Sequence, residues 1–351
     1  MVYYFAPLEG ITGYIFRNIH RKYFKGIDRY FAPFITPNES KKVMTKELRD
    51  LLPENNEGVP LVPQILTNQA GGFISTAKKL KALGYCEVNL NLGCPSGTVV
   101  AKNKGSGFLA FPWELERFLD EIFGSLDMDI SIKTRLGRDD PEEFYELMEI
   151  YNKYPLKELV IHPRIRQDFY NGRPRMDYFD YGQKNSKNTV CYNGDLFTVD
   201  DILHFEEAYP SVDRVMLGRG LLMNPGLADA AASEGSGGAP SKAAKGGAAK
   251  AAEGISKTCA AAAFVPENRI LARGALEADV LRRKVIDFHN ELYDAYRGYM
   301  SGERNVLFKM KELWFYLIDF FPGNEKNAKK IKKAQRLCDY EMAVRQIFQN
   351  S

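Results

Sequence analysis

The stretch Asn89-Leu90-Asn91-Leu92-Gly93-Cys94-Pro95-Ser96 alternates polar and apolar side chains and then breaks at Gly93. It reads as the end of a strand followed by a turn. Pro95 keeps Cys94 out of helical dihedrals. A structural cysteine ordinarily packs inside a strand or helix as a small hydrophobe. This one sits between glycine and proline on a loop, which suits presentation of the sulfur to a reactant.

Outward from that strand, β-rich runs fall at residues 3–6, 29–32, 61–65, 86–90, 129–134, 158–162, 189–192 and 214–217. Amphipathic helical stretches such as 71–83, 112–123, 141–153 and 198–208 lie between them. Strands that alternate with helices imply a parallel sheet with crossover connections. Eight such units close a (β/α)8 TIM barrel. An open doubly wound sheet would carry a glycine fingerprint after its first strand. The first strand here runs instead into Ala6-Pro7-Leu8-Glu9-Gly10-Ile11-Thr12, so the expected fold class is α/β, a TIM barrel over residues 1–227.

A chain of 351 residues with 45% hydrophobic residues has room for a barrel of about 250 residues and a smaller partner. No apolar run reaches the roughly 18 residues that span a bilayer, and the N-terminus lacks the basic region and cleavage site of a signal peptide. The five cysteines are scattered without a C-x-x-C pair. That favours a reducing, cytoplasmic setting over disulfides or zinc. A net charge of +3 is too small to indicate nucleic acid by itself, so any RNA surface must be locally basic.

Residues 228–275 are dominated by Ala, Gly, Ser and Lys and carry too little apolar surface to bury a face. They are expected to form a linker or insert with fragments of weak helix. From 276 to 351 the pattern is helical, with Leu281, Val285, Phe288, Leu292 and Tyr296 on one face, a break at Pro322-Gly323, and a further helical run over 327–349. This predicts an all-α bundle. Lys326, Lys329, Lys330 and Lys333 recur at i, i+3, i+4 and i+7, giving a positive strip suited to phosphate-backbone contact.

In a closed barrel the chemistry gathers where the strands end. The predicted ends carry Gln64; Asn89 and Asn91 before Cys94; Lys133 and Arg135; His162; Asn193-Gly194-Asp195; and Gly218-Arg219-Gly220. The glycine turns after the last two strands, with Arg219, suit a phosphate. A cation at Lys133 suits a cofactor that gains negative charge on reduction, as a flavin does. Gln64 and Asn89 offer donor and acceptor together, which suits a pyrimidine-like edge.

In this order and spacing the residues resemble the tRNA-dihydrouridine synthase family of flavin enzymes. The carrying motifs are the loop at Ala6–Thr12, Pro63-Gln64, the Asn89 stretch, Lys133-Thr134-Arg135-Leu136-Gly137, Ile161-His162-Pro163-Arg164 and Tyr170-Asn171-Gly172. They continue with Asn193-Gly194-Asp195, Gly218-Arg219-Gly220 and Arg304-Asn305-Val306-Leu307-Phe308-Lys309-Met310-Lys311-Glu312. The resemblance implies FMN surrounded by Ala6, Pro7, Leu8, Gln64, Asn89, Lys133, His162, Asn193, Gly194, Asp195, Gly218 and Arg219. It implies Cys94 as the acid that protonates uracil C5, opposite hydride delivery to C6, with NADPH or NADH as electron donor and no metal. Contact with tRNA is expected from Asn91, Arg135, Arg164, Lys326, Lys329, Lys330 and Lys333, and a monomer is favoured. Leu8 stands where family members often carry methionine, a swap that keeps volume and apolarity. A flavin barrel acting on a free pyrimidine or small enone, or a non-catalytic tRNA-binding protein, are the competing readings. A metal-dependent hydrolase lacks its paired His and carboxylate ligands at the strand ends.

Overall fold

The structure, a computed structural model, describes residues 1–37, 46–235 and 275–350. Nine short parallel strands form one sheet: β1 (Val2–Phe5), β2 (Arg29–Phe31), β3 (Leu61–Val62), β4 (Gln64–Ile65), β5 (Glu87–Leu92), β6 (Asp129–Gly137), β7 (Leu159–Ile165), β8 (Val190–Tyr192) and β9 (Arg214–Leu217). The spatial order is β3-β2-β1-β9-β8-β7-β6-β5-β4. The sheet therefore begins and ends in the single run 61–65, which the sequence predicts as one strand. Pro63 divides it, because proline supplies no N–H to a ladder. β3 pairs with β2 and β4 with β5, so the chain itself joins the two edges and the eight predicted strands make a barrel.

Alternation along the strands sorts two cores. Val88, Leu90, Ile130, Ile132, Leu159, Ile161, Val215 and Leu217 face the surrounding helices. Tyr4, Ala6, Phe31, Val62, Val160, Cys191 and Met216 fill the barrel interior. The outer helices include α1 (Tyr14–Tyr23), α2 (Lys46–Arg49), α3 (Ala70–Ala82), α4 (Gly97–Val100), α5 (Pro112–Ser125), α6 (Glu143–Tyr151), α7 (Met176–Asn185), α8 (Val199–Ala208), α9 (Arg219–Met223) and α10 (Leu227–Gly235). Among the described residues no helix is long and apolar enough to cross a membrane.

The stretch predicted as a linker from 228 opens with α10, a packed helix. Leu227, Ala228 and Ala231 are buried, and Asp229 accepts from the backbone N–H of Lys25 and Gly26. The remainder of that stretch, 236–274, lies outside the described residues, as does Cys259. The C-terminal region comprises α11 (Ala275–Tyr299), α12 (Glu303–Leu317), α13 (Glu325–Lys333) and α14 (Leu337–Gln349). The single run expected over 327–349 is two helices, interrupted at Ala334, whose ψ of 135° leaves the helical region. α11 docks on α1 through Phe288, which meets Phe16 and Phe24 at ring-centroid distances of 5.6 and 5.7 Å. An ion pair from Lys22 to Glu291 at 2.6 Å closes the rim of that contact.

Candidate active site

Strand register carries the polar residues to one mouth. Gln64 lies beside Asn89, Asn91 beside Lys133, and Arg135 beside His162. A single cleft is lined by Ala6, Pro7, Leu8, Gln64, Asn91, Cys94, Lys133, Arg135, His162, Asn193, Gly194, Asp195, Gly218 and Arg219. Of the residues proposed from sequence around the cofactor, only Asn89 is absent from this lining. It lies one layer down, fully buried, where Gln64 Nε2 donates to its Oδ1 at 2.8 Å and its Nδ2 donates to Ser131 Oγ at 3.0 Å.

Three cations face the cleft. Lys133 makes no hydrogen bond or ion pair among the described residues, and burial, with Arg135 nearby, lowers its pKa to about 7. Arg135 is held by the backbone oxygens of Gly93, Ile165 and Phe169 at 2.9, 2.9 and 2.8 Å. Arg219 binds Asp195 at 2.6 Å and lies over the rings of Tyr170 and Phe197. Burial and the four surrounding cations, Arg135, Lys133, Arg164 and Arg219, push His162 well below its usual range. His162 is thus neutral, and its Nε2 accepts from Arg164 at 3.1 Å. A lining of this sign and dryness suits an anion.

Cys94 is half-buried on the rim, and desolvation raises its pKa, so the thiol keeps its proton at neutral pH. Its loop is pinned at both ends. Asn91 Oδ1 accepts from Gly93 N–H at 3.0 Å and Cys94 N–H at 2.9 Å. Cys94 O accepts from Ser106 Oγ at 2.8 Å and Ser106 N–H at 3.1 Å. Gly105 makes this clasp possible: its φ is +57°, and a Cβ there would lie 2.8 Å from Cys94 O. On the opposite wall, a Cβ at Gly194 would lie 2.0 Å from Tyr192 Oη. That turn therefore requires glycine for close approach.

Three residues expected at the RNA side, Arg135, Asn91 and Arg164, are committed inside the protein. Asn91 spends both ends of its amide on the loop and on Gln64 Oε1, to which it donates at 2.7 Å. Arg164 is fully buried and uses its guanidinium on His162, on Asp195 at 2.5 Å, and on the backbone oxygens of Asn171 and Gly172. Lys326, Lys329, Lys330 and Lys333 all lie exposed on α13, with Lys330 donating to Gln346 at 2.8 Å. Phe197, Tyr170 as a cleft wall and the Gly105-Ser106 clasp carry no mark in the sequence that assigns them to the site. Which wall a loop aromatic lines is set by how the loop folds back over the mouth, and the clasp depends on Gly105 and Ser106 reaching back to Cys94. Among the described residues no group of three or more His, Cys, Asp or Glu is arranged to hold a metal.

A family model described as "Dihydrouridine synthase (Dus)" matches residues 4–262. The chain belongs to the dihydrouridine synthase family. It is 29% identical over 225 residues to "Probable tRNA-dihydrouridine synthase 1" of Synechocystis sp., covering 63% of this chain and 62% of that protein. It is 30% identical over 240 residues to "tRNA-dihydrouridine(16) synthase" of Pseudomonas putida, covering 66% of this chain and 73% of that one. The match thus spans less than two thirds of the Synechocystis relative's length. Among solved structures, morphinone reductase superposes with 12% identity and a TM-score of 0.45, over 66% of this chain and 86% of that chain. That likeness is too loose to bear on the chemistry.

Proposed function

We propose that this protein reduces the C5=C6 bond of a uridine in tRNA to 5,6-dihydrouridine, using FMN and a nicotinamide donor. One observation carries the reading beyond family membership: a protonated thiol, Cys94, and an unpaired ammonium, Lys133, line the same cleft. The residues fit FMN. Lys133 offers a cation to the pyrimidine edge that turns anionic on reduction, Gln64 a donor and acceptor beside it, and Arg219 with the Gly194 and Gly218 turns a phosphate site. Bound FMN, reduced by NADPH or NADH, supplies the hydride for C6, and every other task falls to the protein.

Cys94 holds the proton for C5. An acid must remain protonated until the transition state, and burial serves that end, the reverse of what a cysteine nucleophile needs. Arg135 and neutral His162 orient whatever enters above Lys133, and the half-buried rim excludes part of the solvent. The uracil has to leave its stack to reach the cleft. The lysine strip of α13 and the exposed aromatic wall at Tyr170 support a polyanionic, base-bearing substrate over a free pyrimidine. Among the described residues the cysteines Cys86, Cys94, Cys191 and Cys338 are free thiols, in keeping with a reducing cytoplasm. The test is turnover with NADPH on an unmodified tRNA transcript and on free uridine. Dihydrouridine should form on the transcript at a far higher kcat/KM; equal turnover on the nucleoside, or none on RNA, would reject the proposal.

A further inference from the structure

Beneath the mouth runs a buried column of hydrogen bonds in which every donor points the same way. Gly93 and Cys94 N–H donate to Asn91 Oδ1, Asn91 Nδ2 to Gln64 Oε1, and Gln64 Nε2 to Asn89 Oδ1. Asn89 Nδ2 donates to Ser131 Oγ, and Ser131 Oγ to Glu87 Oε1 at 2.7 Å. Arg29 donates to the other Glu87 oxygen at 2.7 Å. Gln64, Asn89 and Ser131 are fully buried, with Asn91 and Glu87 nearly so.

An amide side chain has no preferred orientation of its own, since its oxygen and nitrogen ends are nearly equal in shape. Its neighbours decide. A carboxylate accepts and never donates, and a serine hydroxyl has one proton to give. Once Ser131 gives that proton to Glu87, its oxygen must accept from Asn89. Asn89 then turns its oxygen to Gln64, Gln64 its oxygen to Asn91, and Asn91 its oxygen to the two loop N–H groups. Reversing any one amide sets donor against donor and acceptor against acceptor on both sides of it. Backbone N–H groups are obligatory donors, so the top of the column imposes the same direction as the bottom.

We infer that Glu87 and Ser131 are positioning residues: they fix the polarity of the Asn89–Gln64–Asn91 amides and thereby hold the Cys94 loop with its sulfur on the rim. The catalytic consequence rests on the reading of Cys94 as the proton donor; the geometric claim does not. Without Ser131 the direction is enforced from the top alone, Asn89 Nδ2 loses its acceptor, and the slackened column holds the Cys94 loop less firmly.

The experiment measures alkylation of Cys94 by iodoacetamide against pH in the full chain without RNA, read by mass spectrometry of the peptide that contains it. In Ser131→Ala the rate should rise about fivefold, the shift in opening equilibrium expected when one net hydrogen bond is lost. The pH midpoint should fall as the thiol becomes solvated. Ser131→Thr, which keeps the hydroxyl, should retain the wild-type profile. A folded Ser131→Ala protein with the wild-type rate and midpoint overturns the inference. Should that variant fail to fold, Glu87→Met decides: it keeps much of the length but removes the acceptor of the Ser131 proton, and an unchanged Cys94 profile there overturns the inference equally. On tRNA, Ser131→Ala should lower kcat and leave KM unchanged. A wild-type protein that makes no dihydrouridine would sink the functional proposal and leave the alkylation result standing.

Discussion

Single residues set the electrical character of the cleft. Lys133 has no partner among the described residues, and its pKa of about 7 leaves it only partly charged near neutrality. An anion beside it restores the charge, so binding above neutrality takes up a proton. FMN affinity is therefore predicted to weaken as pH rises beyond 7, by up to about tenfold per unit. Fluorescence titration between neutral and alkaline pH measures this, and Lys133→Met should flatten the profile; an unchanged slope in that variant would show that another group titrates. Arg164 is the residue whose sequence context misleads. It follows His162 and Pro163 in a motif that suggests an outward reach, yet it packs under Asp195 and holds that carboxylate in place. A spacing pattern identifies the strand end, whereas the buried ion pair depends on a partner 31 positions away.

Elements were legible where period and punctuation agree. The strand ending in Gly93-Cys94-Pro95 and the runs at 129–134 and 214–217 follow from alternation and breakers, and so does closure of the barrel. The split at Pro63 is also local chemistry. By contrast the bounds of α1 and α7 do not follow from an apolar stripe. α1 buries Arg17 and His20 on its inner face, which breaks an apolar pattern; Asp50 and Asn56 satisfy Arg17 from far along the chain. α7 carries Gly182, a residue that weakens helices, because Ile161 and Phe144 leave no room for a side chain there. The site's residue types were readable, but the clasp on Cys94 was not, since Ser106 and Gly105 reach back across a loop. At this scale Gly105→Ala should destabilise the fold by about 2 kcal/mol through its left-handed backbone and displace the Cys94 loop. Thermal unfolding together with alkylation of Cys94 checks both; a variant with the wild-type melting temperature and alkylation rate would remove the clasp from the account.

The whole molecule joins a catalytic cup to a helical body through the aromatic contact of α1 with α11. Two buried histidines sit in that body and its seam. Burial lowers His20 to about 3 and His289 to about 4, below the unfolded value of about 6.5. Between those limits the unfolded chain binds more protons. Their contribution is therefore complete above pH 6.5 and lost as pH falls, each by up to about 1.4 kcal/mol per unit. Melting temperature should drop steeply from pH 6.5 to 4.5, and a flat profile would contradict the burial argument. Across the outer face, Lys330→Glu with Lys333→Glu should weaken tRNA binding and flatten its salt dependence, since each phosphate contact contributes about 0.9 to the log–log slope. FMN content should stay the same, and unchanged binding in filter assays would remove α13 from the RNA surface. The central claim is that the Cys94 thiol delivers a proton to uracil beside a bound flavin, and nucleoside mass spectrometry of tRNA treated with wild type and Cys94→Ala tests it most directly. The account predicts a Cys94→Ala protein that keeps its FMN and oxidises NADPH but forms dihydrouridine about 100-fold or more slowly; modification at the wild-type rate would contradict it.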